Sequence, residues 1–349
     1  LYERMIPLID SSELGAFFAA WARIDTLGAI GHALSWRLPE EREQREIGVR
    51  AAIQVWAQRD PSAARLAADQ VGADSPVVRE AVRRALAIGW AQSRQGQEGL
   101  ADFLTDLPPL HTRVEHIEAV TRELVRGGGA EAALGWAEPI LRDEGYALTF
   151  KRPVFEAAAS SAAQWDPERT AAWVVEHSGA DYAKEGVGIV AKHWSRQDGA
   201  AAMAWLGEQP AGELSDQIVR EAFGQWSRAE PRNARAWLAA EDQTALHDPA
   251  LELKAKRTVV HEPVRALGWC ERIQDTARQQ SCLESTANSW YAQDAVAAET
   301  WLQQSSLDEE ARSRVRKTPK PQKQEQQRRG PQRPQRPQRP RVGPGGPAS

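Results

Sequence analysis

The sequence is poor in most of the residues that carry chemistry. Its 349 residues include two Cys, two Met, four Tyr and six Phe. Its seven His are scattered, and His111 and His116, which enclose Glu115, are five apart, so they do not share a helix face as a His-Glu-x-x-His zinc site requires. There is no Gly-x-Ser-x-Gly elbow, and no Gly-x-Gly-x-x-Gly follows a strand pattern. The triple glycine Gly127-Gly128-Gly129 has no strand before it and no Gly-Lys-Ser/Thr after it, so it reads as a helix-to-helix turn rather than a phosphate cradle. No catalytic residue, cofactor site or metal site is expected. Apolar runs of the roughly 18 residues needed to cross a membrane are also missing.

What the chain has in excess is tryptophan, 14 in all, and their spacing organises the sequence. The unit is clearest from Trp226 to Leu238: a Trp, an acidic residue four positions on, Pro231, and a second Trp-Leu pair at Trp237-Leu238. A first Trp slot falls at Trp21, Trp56, Trp90, Val125, Ala162, Trp194, Trp226, Thr258 and Trp290, in steps of 35, 34, 35, 37, 32, 32, 32 and 32. Eleven residues later a second slot holds Trp136, Trp173, Trp205, Trp237, Trp269 and Trp301. Twelve of the 14 Trp obey this register, and only Trp36 and Trp165 lie outside it.

The residues between the slots describe a helix end, a tight turn and a helix start. An acidic side chain before a helix can accept the free N–H groups of its first turn. Pro is favoured at the first helical position, where its missing N–H costs nothing and its φ is already helical. Asp60-Pro61, Asp166-Pro167, Glu230-Pro231 and Glu262-Pro263 follow this grammar, and His247-Asp248-Pro249 predicts a further helix start. Ser75-Pro76 does the same for the third unit. Each repeat is thus a helical hairpin that presses its two Trp slots into one layer. In the unit ending at Trp226, the buried face is expected to be Ile218, Val219, Ala222, Phe223 and Trp226, with Ala234, Trp237 and Leu238 opposite. The Ala-rich body supports helix throughout. The fold expected is all-α: a right-handed α-solenoid of about nine antiparallel hairpins over 1–317, with a half-hairpin near Asp308 closing the array, followed by a disordered tail over 318–349.

Net charge is split. The chain carries −4, but residues 312–349 hold 12 Lys and Arg against Glu325 alone, or +11, which leaves 1–311 at −15. An acidic body argues against gripping a phosphate backbone along its length. In the tail, Pro331, Pro334, Pro337 and Pro340 recur every third residue. The three-residue turn of polyproline II would then align Arg333, Arg336 and Arg339 on one edge, a candidate contact for an anionic surface or nucleic acid; the alternative is a solvated segment with no ligand.

Two further candidates follow. The longest step contains an inserted loop, Gly145 to Pro153, in which Tyr146, Phe150, Lys151 and Arg152 form either a contact site or ordinary packing over neighbouring helices. Cys270 and Cys282 flank a turn at matched distances, so they either form a disulfide or remain two small buried thiols. A disulfide would imply an oxidising compartment. The chain begins at Leu1 rather than Met, which allows an upstream signal or anchor and leans the expectation to a periplasmic or envelope-associated site over a cytoplasmic one.

The repeat Trp-Ala/Ser-x-x-Asp-Pro-x-x-Ala-x-x-Trp-Leu resembles bacterial tandem helical-hairpin proteins of the broad TPR-like and HEAT-like α-solenoid group, over about residues 10–310. It departs from standard TPR units in lacking their Gly and Tyr pattern. The resemblance implies a monomeric, non-enzymatic scaffold that offers a curved face to a protein or peptide partner. Two alternatives are an adaptor whose Arg-rich tail holds nucleic acid or another anionic ligand, and an all-α toroid enzyme.

Overall fold

The computed structural model describes residues 13–36, 38, 41–71, 76–93, 95–107, 110–210, 215–239, 244 and 246–317. Ser75 and the tail from 318 onward, with Arg333, Arg336 and Arg339, lie outside these residues. Among the described residues every regular element is helical. The chain divides into two compact units, 1–250 and 251–349, whose boundary falls inside one helix.

The first unit contains α1 (Leu14–Ile24), α2 (Thr26–Ser35), α3 (Arg42–Arg59), α4 (Pro61–Val71), α5 (Pro76–Ala91), α6 (Leu100–Thr105), α7 (Leu110–Arg142), α8 (Leu148–Ala163), α9 (Pro167–Glu176), α10 (Gly186–Gln197), α11 (Gly199–Gly207), α12 (Asp216–Ala229) and α13 (Pro231–Leu238). It also contains the start of α14 (His247–Thr258). Helix α7 is two helices in one span, broken at Gly128 and Gly129; Gly129 has φ of 69°. Only glycine adopts that conformation without strain, so the triple glycine is a turn.

The turns explain the spacing. A single residue, Asp25, Asp60, Asp198 or Glu230, both ends one helix and begins the next. Each donates its N–H to the carbonyl of the first-slot Trp, at 2.7–2.9 Å. The aspartates then cap the following helix, accepting from Gly28, Ala63 and Ala201 at 2.9 Å each; Asp166 does the same for Arg169 at 3.0 Å. Glu230 makes no such cap. Its longer side chain turns aside to accept from Trp226 Nε1 at 3.2 Å and from Asn233 Nδ2 at 2.9 Å. Expecting Asp and Glu to serve alike was therefore incorrect: one extra methylene carries the carboxylate past the N–H groups.

Packing follows the same alternation. The first helices α1, α3, α5, the front half of α7, α8, α10 and α12 each lie against the next. Their partners α2, α4, α9, α11 and α13 return beside them. Slot residues of one hairpin meet as expected: Trp194 and Trp205 rings are 5.8 Å apart, and Trp226 and Trp237 5.9 Å. All the slot Trp are buried or half-buried, whereas Trp165, outside the register, is 66% exposed. Close approach between neighbouring helices requires small residues. A Cβ on Gly89 of α5 would lie 2.3 Å from the Gln54 carbonyl of α3, and one on Gly199 would lie 2.0 Å from Trp226 Cγ.

A recurrent side-chain bond joins neighbouring hairpins. Arg59, three residues after its slot Trp, donates to the Arg23 carbonyl at the end of α1. Gln197, at the same place in its own hairpin, donates to the carbonyls of Ala163 and Gln164 at the end of α8. These satisfy helix C-terminal carbonyls that have no intrahelical donor.

Two expectations need correction here. Helix α14 starts at His247 rather than being capped by Asp248. His247 donates its N–H to the Thr244 carbonyl at 2.8 Å and accepts the Thr244 N–H on Nδ1 at 3.1 Å. Pro249 then falls inside the first turn, where it still removes no helical bond. Ile218 is only half-buried, while Val219, Ala222, Phe223 and Trp226 form the core face of α12.

In the second unit, α15 (Pro263–Cys270), α16 (Thr276–Gln293) and α17 (Ala295–Gln304) continue the pattern, with Asp294 capping α17 through Ala297 at 3.0 Å. A last helix, α18 (Glu309–Arg316), is capped by Asp308 and packs on α16. Arg314 grips Glu284 of α16 with two bonds of 2.7 and 2.8 Å, and Arg316 grips Glu299 of α17. Those bonds, as the largest influence, hold both carboxyls below their ordinary range.

Candidate functional site

The half-buried Ile218 lines one of two adjoining concavities of the first unit that lie across consecutive first helices. One stretch, about 300 Å³, lies between α7, α8 and α10 and is lined by Val114, Glu118, Arg122, Glu156, Ala157, Ser160 and Ile189. A second, about 450 Å³, lies between α10 and α12 and is lined by Glu185, Ile189, Lys192, Ile218 and Glu221. Ile189 borders both, so the two lie side by side along consecutive first helices. Their walls come from side chains two to eleven residues before the Trp slot. Those positions are left outside the core because the slot residues face the partner helix.

The groove floor is apolar, from Ala157, Ile189 and Ile218, and its rims are charged. Glu118 pairs with Arg122 at 3.6 Å, and Lys184 with Asp181 at 2.8 Å. Burial, opposed by Arg152 and reinforced by Glu185, pushes the Glu156 carboxyl above its ordinary value. Ser160 Oγ lies 3.0 Å from His193 Nε2. Burial, and then the charges of Lys192 and Arg196, lower the His193 imidazole, which favours its neutral form. Ser160 sits inside a continuous helix whose N–H groups are already used, so no oxyanion site faces its hydroxyl. The pair is built as an α8–α10 bond.

The loop that brings Lys184 and Glu185 to the groove is itself tied down. His177 bonds Glu138 Oε2 through Nε2 at 3.1 Å and Tyr182 through Nδ1 at 3.0 Å. Since a carboxylate only accepts, Nε2 carries a proton toward Glu138. Trp173 Nε1 also donates to Glu138 at 2.9 Å, and Phe155 stacks on Trp173 at 4.9 Å. Burial works against the Glu138 charge, but the bonds from Trp173 and His177 and the charges of His177 and Arg142 outweigh it and hold the carboxyl low.

The four residues expected on an inserted loop are divided by the structure. The non-helical segment ends at Ala147, and Phe150, Lys151 and Arg152 belong to α8. Phe150 is 1% exposed, a core residue 5.4 Å from the Tyr146 ring. Tyr146 donates to Asp102 at 2.7 Å, and burial together with that bond pushes its hydroxyl up to about 12. Tyr146 therefore docks the loop on α6. Arg152 is exposed on α8, one turn before Glu156, and only it comes near the groove. Cys270 and Cys282 are bonded, with Cα atoms 5.5 Å apart, joining α15 to α16. The Thr286 hydroxyl donates to Cys270 Sγ at 3.4 Å.

Among the described residues no three His, Cys, Asp or Glu side chains converge as a metal site, and no helix is long and apolar enough to cross a membrane. No family model, curated protein or solved structure matches the chain. Reading the sequence missed Glu156, Glu185 and Ile189, whose only signal was their place at non-slot positions of consecutive first helices.

Proposed function

We propose that the chain is a non-enzymatic α-solenoid of about nine hairpins, of the TPR-like and HEAT-like kind, that binds a protein or peptide segment along its row of first helices. The observation that carries this reading is the pair of adjoining concavities on either side of Ile189, spread along α7, α8, α10 and α12. An apolar floor with charged rims suits an extended segment that alternates buried and solvated side chains. The test is site-specific photo-crosslinking in cells, with the probe at Ile189 and, as control, at Leu66, which is 78% exposed on α4. A single protein band recurring from Ile189 and missing from Leu66 supports the reading. Equal labelling from both positions overturns it.

The charge split favours a second reading, an adaptor whose tail holds nucleic acid or another anionic ligand. Removing 318–349 should then abolish a steeply salt-dependent binding to a DNA duplex or to anionic vesicles.

A further inference from the structure

We propose that the Cys270–Cys282 bond is an exchange site for a small carboxylate-bearing thiol, which enters a concavity of the second unit, captures Cys282 in a mixed disulfide and frees Cys270.

The two sulfurs have unlike surroundings. Cys270, on α15, is 0% exposed. Cys282, on α16, borders a concavity of about 650 Å³ between the end of α14 and α16. That volume lies within the range of small-molecule sites, roughly 300–1,000 Å³. The α16 wall is a stripe of uncharged polar side chains, Ser281, Ser285, Ser289 and Gln293, four residues apart on one helix face. Ser285 and Ser289 already donate their hydroxyl protons, to the carbonyls of Cys282 and Ser285 at 3.0 Å each, which leaves their oxygens to accept from a ligand. On the α14 side, Glu252 pairs with Arg278 at 3.6 Å, whereas Lys256 is exposed and stands without an ion pair among the described residues. Amides can donate to such hydroxyls, and a carboxylate can meet the free ammonium.

The chemistry is thiol–disulfide exchange. The incoming thiolate attacks Cys282 Sγ; a new S–S bond forms as the Cys270–Cys282 bond breaks, and the electron pair leaves on Cys270 Sγ. The proton that the thiol loses on ionising is matched by the one Cys270 takes up. One thiol and one disulfide thus give one thiol and one mixed disulfide, and no further oxidant or reductant is needed. Burial by itself disfavours the departing thiolate. The Thr286 hydroxyl offsets this: it donates to Cys270 Sγ at 3.4 Å, since a disulfide sulfur carries no proton, and a donor already in place favours the charged form. Thr286 stands one helical turn beyond Cys282 and lines the same concavity, so the point of attack and the donor to the leaving sulfur are neighbours on α16. Cys270, with no exposed surface, offers no such approach. Exchange removes the covalent tie between α15 and α16.

The test treats the full-length disulfide form with reduced glutathione, which carries amides and carboxylates, or with cysteamine, a cationic thiol. Samples are quenched in acid and mapped by mass spectrometry, and each rate is divided by that for the urea-unfolded chain. The adduct should sit on Cys282 with Cys270 free, form at a rate independent of urea below the unfolding transition, and favour glutathione. Lys256→Gln should erase that preference. Thr286→Val should slow native exchange about three- to tenfold, and Thr286→Ser should restore it. An adduct on Cys270, a rate that climbs with urea in step with unfolding, equal normalised rates for the two thiols, or a Thr286→Val chain as fast as the parent would overturn the proposal. Single-cysteine variants keep it testable should the Thr286 variants not fold. With glutathione disulfide, Cys270→Ser should become modified at Cys282 at least about tenfold faster than Cys282→Ser at Cys270, and equal rates would overturn it.

Discussion

Replacing Trp226 by Ala removes the residue on which two hairpins meet. Its ring is 2% exposed, edge-on to Trp237 at 5.9 Å and to Phe223 at 6.5 Å, and it lies over Gly199 of the preceding hairpin. A buried Trp withholds about 200 Å² from water, or about 5 kcal/mol at roughly 25 cal/mol per Å². Residual compactness of the unfolded chain lowers that figure, and the cavity left behind raises it. The bond from Nε1 to Glu230 adds about 1 kcal/mol. Trp226→Ala should therefore cost about 3–5 kcal/mol in urea unfolding followed by far-UV circular dichroism. Trp165→Ala, with its ring 66% exposed, should change stability by no more than about 0.5 kcal/mol. A double-mutant cycle sharpens the test. Gly199→Ala alone drives a methyl into the Trp226 ring and should destabilise, yet in the Trp226→Ala background the same methyl enters the vacated space and should be neutral or stabilising. A Trp226→Ala cost under about 1 kcal/mol, or strict additivity with Gly199→Ala, would refute the packing argument.

Other consequences are equally direct. Asp198→Ala deletes a true cap and should cost about 1 kcal/mol; Glu230→Ala should leave the start of α13 as protected from hydrogen exchange as before, since Glu230 caps no backbone N–H. Replacing Cys270 and Cys282 together by Ala should destabilise the second unit by about 3 kcal/mol, the loop-closure effect for a separation of 12 residues, and a reductant should then have no further effect on its melting. Glu284 and Glu299 have folded pKa values depressed by Arg314 and Arg316, so their contribution is full above the ordinary carboxylate value of 4.5 and fades as pH falls through the lowered folded values. Cleavage by pepsin at α18 should accordingly begin in that acid window, and Arg314→Gln should move its onset to higher pH.

Much of the fold was legible because its determinants are local. A Trp, an Asp four residues on and a following helix start are linked by bonds spanning three or four residues, so spacing alone reveals the hairpin. The same reasoning misread Glu230, whose chemistry matches Asp60 but whose reach does not. It also ran the inserted loop on to Pro153, whereas the helix begins at Leu148 and carries Phe150 into the core, so of the two readings open for Phe150 it is packing that the structure shows. Asp248 was taken for a cap because the sequence gives no hint that the His247 ring would fold back on Thr244.

The candidate groove was hidden for a different reason. Glu156, Glu185, Ile189 and Ile218 are spread over 62 positions and share no motif; they become neighbours only because consecutive first helices lie side by side with a particular rotation about their axes. By itself the sequence determined that the chain is helical, where its helices turn, and that its charge divides between an acidic body and a basic end, since each follows from residues acting on near neighbours or from simple sums. Tertiary structure alone decided which acidic side chains cap helices and which line concavities, which aromatic residue is core and which is exposed, and that Cys270 meets Cys282. These depend on helix phase and interhelical distance, which no single segment encodes.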